Sequence, residues 1–264
     1  MPQSARVFAA QRYRLSTLTV PSDLLVAVVT GRKVLHGSGR TVTAHQGQAV
    51  LISRGTQWDV VNDPYGQRQY EAWVLPFDDD LVREFTPPTA ERTQTVGSAQ
   101  VLKLEDDLLS ALQRTLPNER SVSCALQRHR SLEVMLMLAE KGWCFTPVQK
   151  ISWTERIQSM VRQRPAQNWT VESLAEAFCM SESSLRRRLR GSTFTLAELV
   201  RDARLQVALG ILQTTNMSVG EVAQHCGWAS HSRFTAAFQQ RWNVVPSVVR
   251  ARMKESAQDL TDQG

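Results

Sequence analysis

The sequence predicts an α+β chain of two domains: an N-terminal β-barrel that ends in a helical segment, then a C-terminal all-α domain. Three observations carry this. Short β-rich runs closed by turn residues recur between Tyr13 and Phe85. Apolar residues at three- and four-residue steps take over from about residue 102. A motif near residue 171 is written again 48 residues later. The boundaries expected are 1–145 for the first domain, with helices over about 102–141, 146–152 as a linker, 153–254 as the second domain and 255–264 as a tail.

Taken in order, Leu24 to Thr30 is an apolar, β-branched run that stops at Gly31. Arg40 to Thr43 alternates, and a turn follows around Gly47. Ala49 to Ser53, Trp58 to Val61 and Gln69 to Leu75 are further strands, so residues 10–80 read as a small barrel. Asp78, Asp79 and Asp80 suit the first turn of a helix, because carboxylates favour its positive end. Thr86 to Ser98 holds Pro87, Pro88 and Gly97 and reads as a loop. Leucines from Leu102 to Leu116 mark a helix ended by Pro117. Leu126 to Leu138 mark a second, ended by Gly142 and apolar around much of its circumference. Trp143 to Lys150, with Pro147, reads as a linker.

Several function classes lose ground here. His36 and His45 stand nine apart with no H-x-H pair, and none of Cys124, Cys144, Cys179 and Cys226 has C-x-x-C spacing, so no metal or cofactor is expected. Trp58, Trp73 and Phe77 read as core, with the lining of a ligand pocket as the alternative. Residues 1–20 lack an apolar stretch long enough for a signal peptide, and no run of eighteen apolar residues exists, so a cytoplasmic, membrane-free location is expected.

The charge is uneven. Residues 1–150 carry 17 Lys/Arg against 15 Asp/Glu, whereas residues 151–254 carry 14 against 7. The basic excess of the second domain is what an electrostatic footprint for DNA needs. In that domain, Val171-Glu172-Ser173-Leu174-Ala175 is repeated in pattern by Val219-Gly220-Glu221-Val222-Ala223. Thr170 and Ser218 precede them as capping residues. Each unit turns through serine, at Ser181 and Ser230, into a helix with apolar residues four apart: Leu185 and Leu189, then Phe234 and Phe238. This is helix-turn-helix grammar written twice. Apolar steps from Leu196 to Gln213 predict one long connecting helix. The first unit's second helix, Ser181 to Arg190, has an apolar back and Arg186, Arg187, Arg188 and Arg190 elsewhere, which suits the acceptor-rich major groove.

At these residues the chain resembles the AraC/XylS family of bacterial transcription regulators, over about 157–252. Ser181-x-x-x-Leu185-x-Arg187-x-Leu189, Arg204-Leu205-x-x-Ala208, Gly227-Trp228-x-Ser230-x-Ser232-x-Phe234 and the closing Pro246 and Arg250 carry the resemblance. It implies a seven-helix domain with two DNA-reading helices, and a regulator, expected to activate, that binds double-stranded promoter DNA and contacts RNA polymerase. The family's F-x-R-x-F reads Phe234-Thr235-Ala236-Ala237-Phe238 here, so the first unit is expected to be the stronger reader. The N-terminal part is similar to the cupin-like barrel and helices of such regulators. In relatives that part binds a small effector, a protein partner or nothing, and often forms a homodimer; each stays open for this chain, and effector-binding residues are unassigned.

The residues expected at DNA are Ser183, Ser184, Arg186, Arg187 and Arg190 in the first unit, and Ser230, His231, Ser232, Arg233 and Thr235 in the second. Arg188 is left between packing and phosphate. No catalytic residue is assigned. The alternative from another class is an enzyme, of cupin or DNA-repair type, with an accessory DNA-binding domain.

Overall fold

The structure, a computed structural model, describes residues 4–37, 39–87, 93–117, 122–147 and 151–250. The expected tail, residues 148–150 of the expected linker and Pro88 of the expected loop lie outside the described residues. Two antiparallel sheets face each other. One has five strands in the order β1 (Ala5–Ala9), β8 (Tyr70–Pro76), β3 (Leu24–Thr30), β6 (Gln48–Ile52) and β10 (Ala99–Lys103). The other has four: β2 (Tyr13–Thr19), β7 (Gln57–Asp63), β4 (Arg32–Gly37) and β5 (Arg40–His45). No ladder among the described residues joins the sheets, so the barrel is open. The β3–β4 connection is Gly31, at φ +83°, where a Cβ would lie 2.5 Å from the Asp63 carbonyl oxygen.

The five-stranded sheet is buried on both faces. Val26, Val28, Val50 and Ile52 point into the sandwich. Leu25, Ala27, Ala49 and Leu51 point outward under α1 (Asp79–Glu84), α2 (Asp106–Thr115) and α3 (Cys124–Glu140). Two-sided burial is why β3 and β6 are nearly continuous apolar runs. Asp78 caps α1, accepting from the Asp80 N–H. The described helix begins at Asp106 and not near Leu102: Ala99 to Lys103 pairs with β6 as a strand, an extended segment that the following leucines disguise. A two-residue parallel pair, β9 (Gln94–Thr95) with β11 (Trp143–Cys144), lies within stretches expected to be a loop and a linker. No helix among the described residues is long and apolar enough to cross a membrane.

Inside the sandwich Trp58 and Leu15 are buried, and Phe77 is fully buried beneath the helices, so these two aromatic residues are core, whereas Trp73 is half-buried at the edge of the cluster beneath the helices. His36 meets the Thr41 hydroxyl, and His45 packs edge-on against Tyr65. One polar chain crosses the interior. The Lys33 ammonium donates to Asn62 Oδ1 at 2.8 Å, and Asn62 Nδ2 donates to the Tyr13 hydroxyl at 2.7 Å. Gln213, on the connecting helix of the second domain, donates to the same hydroxyl at 2.8 Å. Burial pushes Lys33 down to about 8 and Tyr13 up to about 12.

Seven helices follow among the described residues: α4 (Trp153–Gln163), α5 (Val171–Ala177), α6 (Glu182–Leu189), α7 (Leu196–Thr214), α8 (Val219–His225), α9 (His231–Trp242) and α10 (Pro246–Val249). α7 is the long connector, capped by Thr195 with Glu198 completing a capping box. Its N-terminal half, with Leu199, Val200 and Ala203, packs into the core of the first unit. Its C-terminal half, with Leu205, Ala208, Leu209 and Leu212, packs into the core of the second, which is continuous with the barrel interior.

Candidate nucleic-acid interface

The two helix-turn-helix units repeat in backbone detail. Thr170 and Ser218 cap α5 and α8 with complete capping boxes, using Ser173 and Glu221. The chain then leaves each helix through a left-handed residue, Cys179 at φ +52° and Gly227 at φ +77°. Met180 N–H donates to the Ala175 carbonyl and Trp228 N–H to the Ala223 carbonyl, both at 2.9 Å. Those bonds close the first helix and set where the second begins. Ala175 and Ala223 are buried at the crossing, where a larger side chain would push the helices apart.

α6 is held down by Leu185, which is fully buried, and by half-buried Leu189. Ser181 caps it, accepting from the Ser184 N–H. The Ser183 hydroxyl lies 3.0 Å from the Ser181 hydroxyl, and Ser184 is half-buried and bonded to the cap, so these serines build the helix start as well as fronting it. Arg187 and Arg190 are exposed. Arg186 is exposed and reaches back one turn to Glu182, 2.9 Å away. Arg188 takes a different course: its guanidinium lies over the Trp153 ring of α4, 4.5 Å from the centroid. Arg156 lies over the same ring at 5.0 Å, and Phe178 meets it edge-on. Arg186, Arg187 and Arg188 fall in the last turn of α6, where the helix dipole favours cations, and Arg190 is its C-cap.

α9 buries Phe234, Phe238 and Trp242 in a ladder of edge-on rings. Ser230 caps it, accepting from the Arg233 N–H, and pairs with the Ser232 hydroxyl at 2.8 Å. His231, Ser232, Arg233 and Ala236 are exposed, and Thr235 is half-buried. The helix ends at Asn243 in the left-handed conformation at φ +58°, the turn that an asparagine there permits. The expected residues therefore fall in two sets, one on the first turns and outer face of each second helix.

Several residues position this surface through contacts that the sequence does not reveal. Arg204 of α7 donates to the carbonyls of Pro165, Gln167 and Gly227, pinning the turn of the second unit to the loop before the first. Gly227 is close enough to that loop that a Cβ would sit 2.9 Å from the Pro165 oxygen. Arg250 donates to the Asn216 carbonyl and ties α10 to the loop before α8. Arg241 of α9 pairs with Asp202 of α7 and reaches the Thr17 carbonyl of β2. Arg204 and Arg250 stood in the resemblance; only the contacts reveal them as clamps.

Comparison with known proteins matches both halves of the chain. Residues 174–252 match the family described as a helix-turn-helix domain, and residues 23–142 match the ExsA N-terminal regulatory domain. Among curated proteins, the urease operon transcriptional activator of Escherichia coli is 27% identical over 157 residues, covering 57% of this chain and 53% of that protein. The HTH-type transcriptional regulator YdeO of Escherichia coli K12 is 29% identical over 99 residues, covering 38% of this chain and 39% of its own length. The chain thus spans about half or less of these relatives. Among solved structures, ToxT from Vibrio cholerae aligns with a TM-score of 0.60 at 14% identity, over 93% of this chain and 96% of that one, a likeness of fold. A further ToxT structure, with unsaturated fatty acid bound, aligns with a TM-score of 0.59 at 14% identity, over 92% of each chain.

Proposed function

From the premise that the chain belongs to the AraC/XylS family, we propose that it is a sequence-specific regulator of transcription that reads promoter DNA with α6 and α9. The observation that carries this is the outer face of α6, where Arg187 and Arg190 stand exposed on a helix fixed by a cap and a buried leucine. Arg187 is the base reader and Arg190 the phosphate contact. Arg186, Ser183 and Ser184 support them, and His231, Ser232, Arg233 and Thr235 of α9, behind the Ser230 cap, form the weaker second reader. The sign of regulation is activation through RNA polymerase, following the family, and the protein works in the cytoplasm without catalysing a reaction.

Control enters through the N-terminal domain. The sandwich interior packs its own apolar side chains, among them Leu15, Val26, Val50 and Trp58, and an effector or partner protein acts from outside it. A cleft of about 560 Å³ between β2 and the helices α7 and α9, lined in part by Thr17, Gln57, Leu205, Ala237 and Arg241, is open to both domains and favours a small effector over a protein one. ToxT structures include one with an unsaturated fatty acid, which makes an apolar carboxylate the first class to try. A second copy of the chain joins through the N-terminal helices.

Genome-wide mapping of bound sites gives the operator. On a duplex carrying it, Arg187→Ala should weaken binding by about 1–3 kcal/mol and relax preference at one base pair. Unchanged affinity and preference in a gel-shift titration would remove Arg187 as a reader. Binding by the wild-type chain that ignores sequence would remove the function itself.

A further inference from the structure

The two helix-turn-helix units are joined to the barrel by different means. The second shares a continuous apolar core with it, and Arg241 and Gln213 add hydrogen bonds. The core of the first unit, built on Ile157, Val161, Leu174 and Leu185, is a separate cluster. The barrel reaches its first helix, α4, through a charged side chain. Arg54 is mostly buried; it pairs with Asp79 of α1 and donates to Glu155 Oε1 of α4 at 2.9 Å. Glu155 is also the capping-box residue of α4. Its other oxygen accepts from the Ser152 backbone N–H at 2.9 Å and from the Ser152 hydroxyl at 2.8 Å. One carboxylate therefore both starts α4 and pins its first turn to the barrel. The first residue of that turn is Trp153, the ring on which Arg188 of the reading helix lies.

We propose that Trp153 is a positioning residue that keeps Arg188 withdrawn from DNA, and that the Arg54–Glu155 pair ties this hold to the state of the N-terminal domain. The inference rests on the reading of α6 as a DNA-facing helix. Arg188 stands one residue from Arg187 and two from Arg190, within reach of the same backbone once released. Arg188 is itself exposed and lies over a half-buried ring, and that contact holds it by about as much as a single phosphate contact returns, so a small shift of α4 suffices to change which partner wins. With the pair intact the first unit meets DNA with Arg187 and Arg190 free and Arg186 shared with Glu182. With it broken, as when an effector or partner displaces Arg54, α6 gains one more cation, Arg188. Affinity then rises at low salt without any change in the bases read, because phosphate contacts carry no sequence information.

The salt dependence of binding reports this directly, since each added phosphate contact steepens the plot of log K against log salt by about 0.9. The full chain and a duplex bearing a mapped site are used throughout. Trp153→Leu should lose about threefold more affinity than the wild type between 50 and 200 mM salt, and Trp153→Leu/Arg188→Gln should return to the wild-type slope. Glu155→Gln tests the link to the barrel with little risk to folding. Glutamine at this position still completes a capping box, but it turns a neutral donor toward Arg54. It should steepen the slope as Trp153→Leu does, again only while Arg188 is present. A structural defect lowers affinity but adds no released ion, so it cannot mimic this result. A wild-type slope in Trp153→Leu, or a steeper slope that survives Arg188→Gln, overturns the hold. A wild-type slope in Glu155→Gln overturns its tie to the barrel. Absence of sequence-specific binding by the wild-type chain would instead count against the proposed function.

Discussion

Asp23 shows what a single buried charge does to this fold. It opens β3, and its Oδ1 accepts the Arg54 N–H at 2.9 Å. Its Oδ2 is buried with no hydrogen-bond partner among the described residues. Burial pushes the carboxyl up to about 6; the Arg54 N–H and charge pull it down, and Asp79 adds repulsion. The folded chain then holds this proton more tightly than the unfolded chain, where the group ionises near its ordinary value of 3.8. The contribution to stability is therefore gained as pH falls from about 6 to about 4, and at neutral pH the ionised group costs about 3 kcal/mol. Asp23→Asn keeps the acceptor and removes the charge. Its thermal midpoint should exceed the wild-type value at pH 7.5 and meet it near pH 4. The difference between the two proteins is the quantity to follow, because carboxylates such as Asp59, held low by the Thr17 N–H and Arg14, pull total stability the other way. Equal midpoints across the range would mean that Asp23 is well solvated. Nothing in the sequence marks this residue, since an aspartate ahead of a strand reads as turn chemistry. The same holds for Trp153 and Glu155, whose roles depend on partners about 35 and 101 positions away.

Among elements, legibility follows burial. β3 and β6 are covered on both faces and announce themselves as apolar runs, and β3 begins and ends where its sequence says. β4 has polar outer residues and carries Lys33 inward, so R-K-V-L-H-G hides a strand that pairs with β5 and β7. β10 is masked by the leucines of α2. The helix-turn-helix repeat was plain because caps, small crossing residues and apolar pairs recur at fixed offsets. Its most telling mismatch lies in the turns. Where the second unit places Gly227, the first places Cys179, exposed and left-handed at φ +52°. An L-residue there costs about 1–2 kcal/mol in backbone sterics, partly offset by the extra freedom that glycine has when unfolded. Cys179→Gly should therefore raise stability by about 1 kcal/mol in denaturant titration and leave operator affinity alone. A loss of stability would mean that the turn is held by the cysteine side chain. The two second helices also differ in charge: α6 and its C-cap carry Arg186, Arg187, Arg188 and Arg190, whereas α9 has Arg233 and Ala236 exposed and its Arg241 paired with Asp202.

For the whole molecule, the question is whether two domains legible as separate in the sequence behave as one. Composition and periodicity divide the chain near residue 146, and nothing in the sequence predicts how the halves meet. Three kinds of contact join them. Apolar residues of the second unit continue the core of the sandwich. Gln213 and Arg241 donate into β2, at the Tyr13 hydroxyl and the Thr17 carbonyl. Arg54 and Glu155 make the ion pair already described. α7 then carries the connection onward, since one end lies in each unit's core. Continuous apolar burial couples unfolding more strongly than a few hydrogen bonds, each worth only about 1 kcal/mol. The full chain should therefore melt in one transition, with matching calorimetric and van't Hoff enthalpies. Gln213→Ala combined with Arg241→Ala should lower the midpoint and still give one transition, because the apolar contact persists. Two transitions in the wild type would mean that the halves fold independently. Two only in the double variant would mean that the hydrogen bonds to β2 carry the coupling, and that displacing them is enough to uncouple α9 from the barrel.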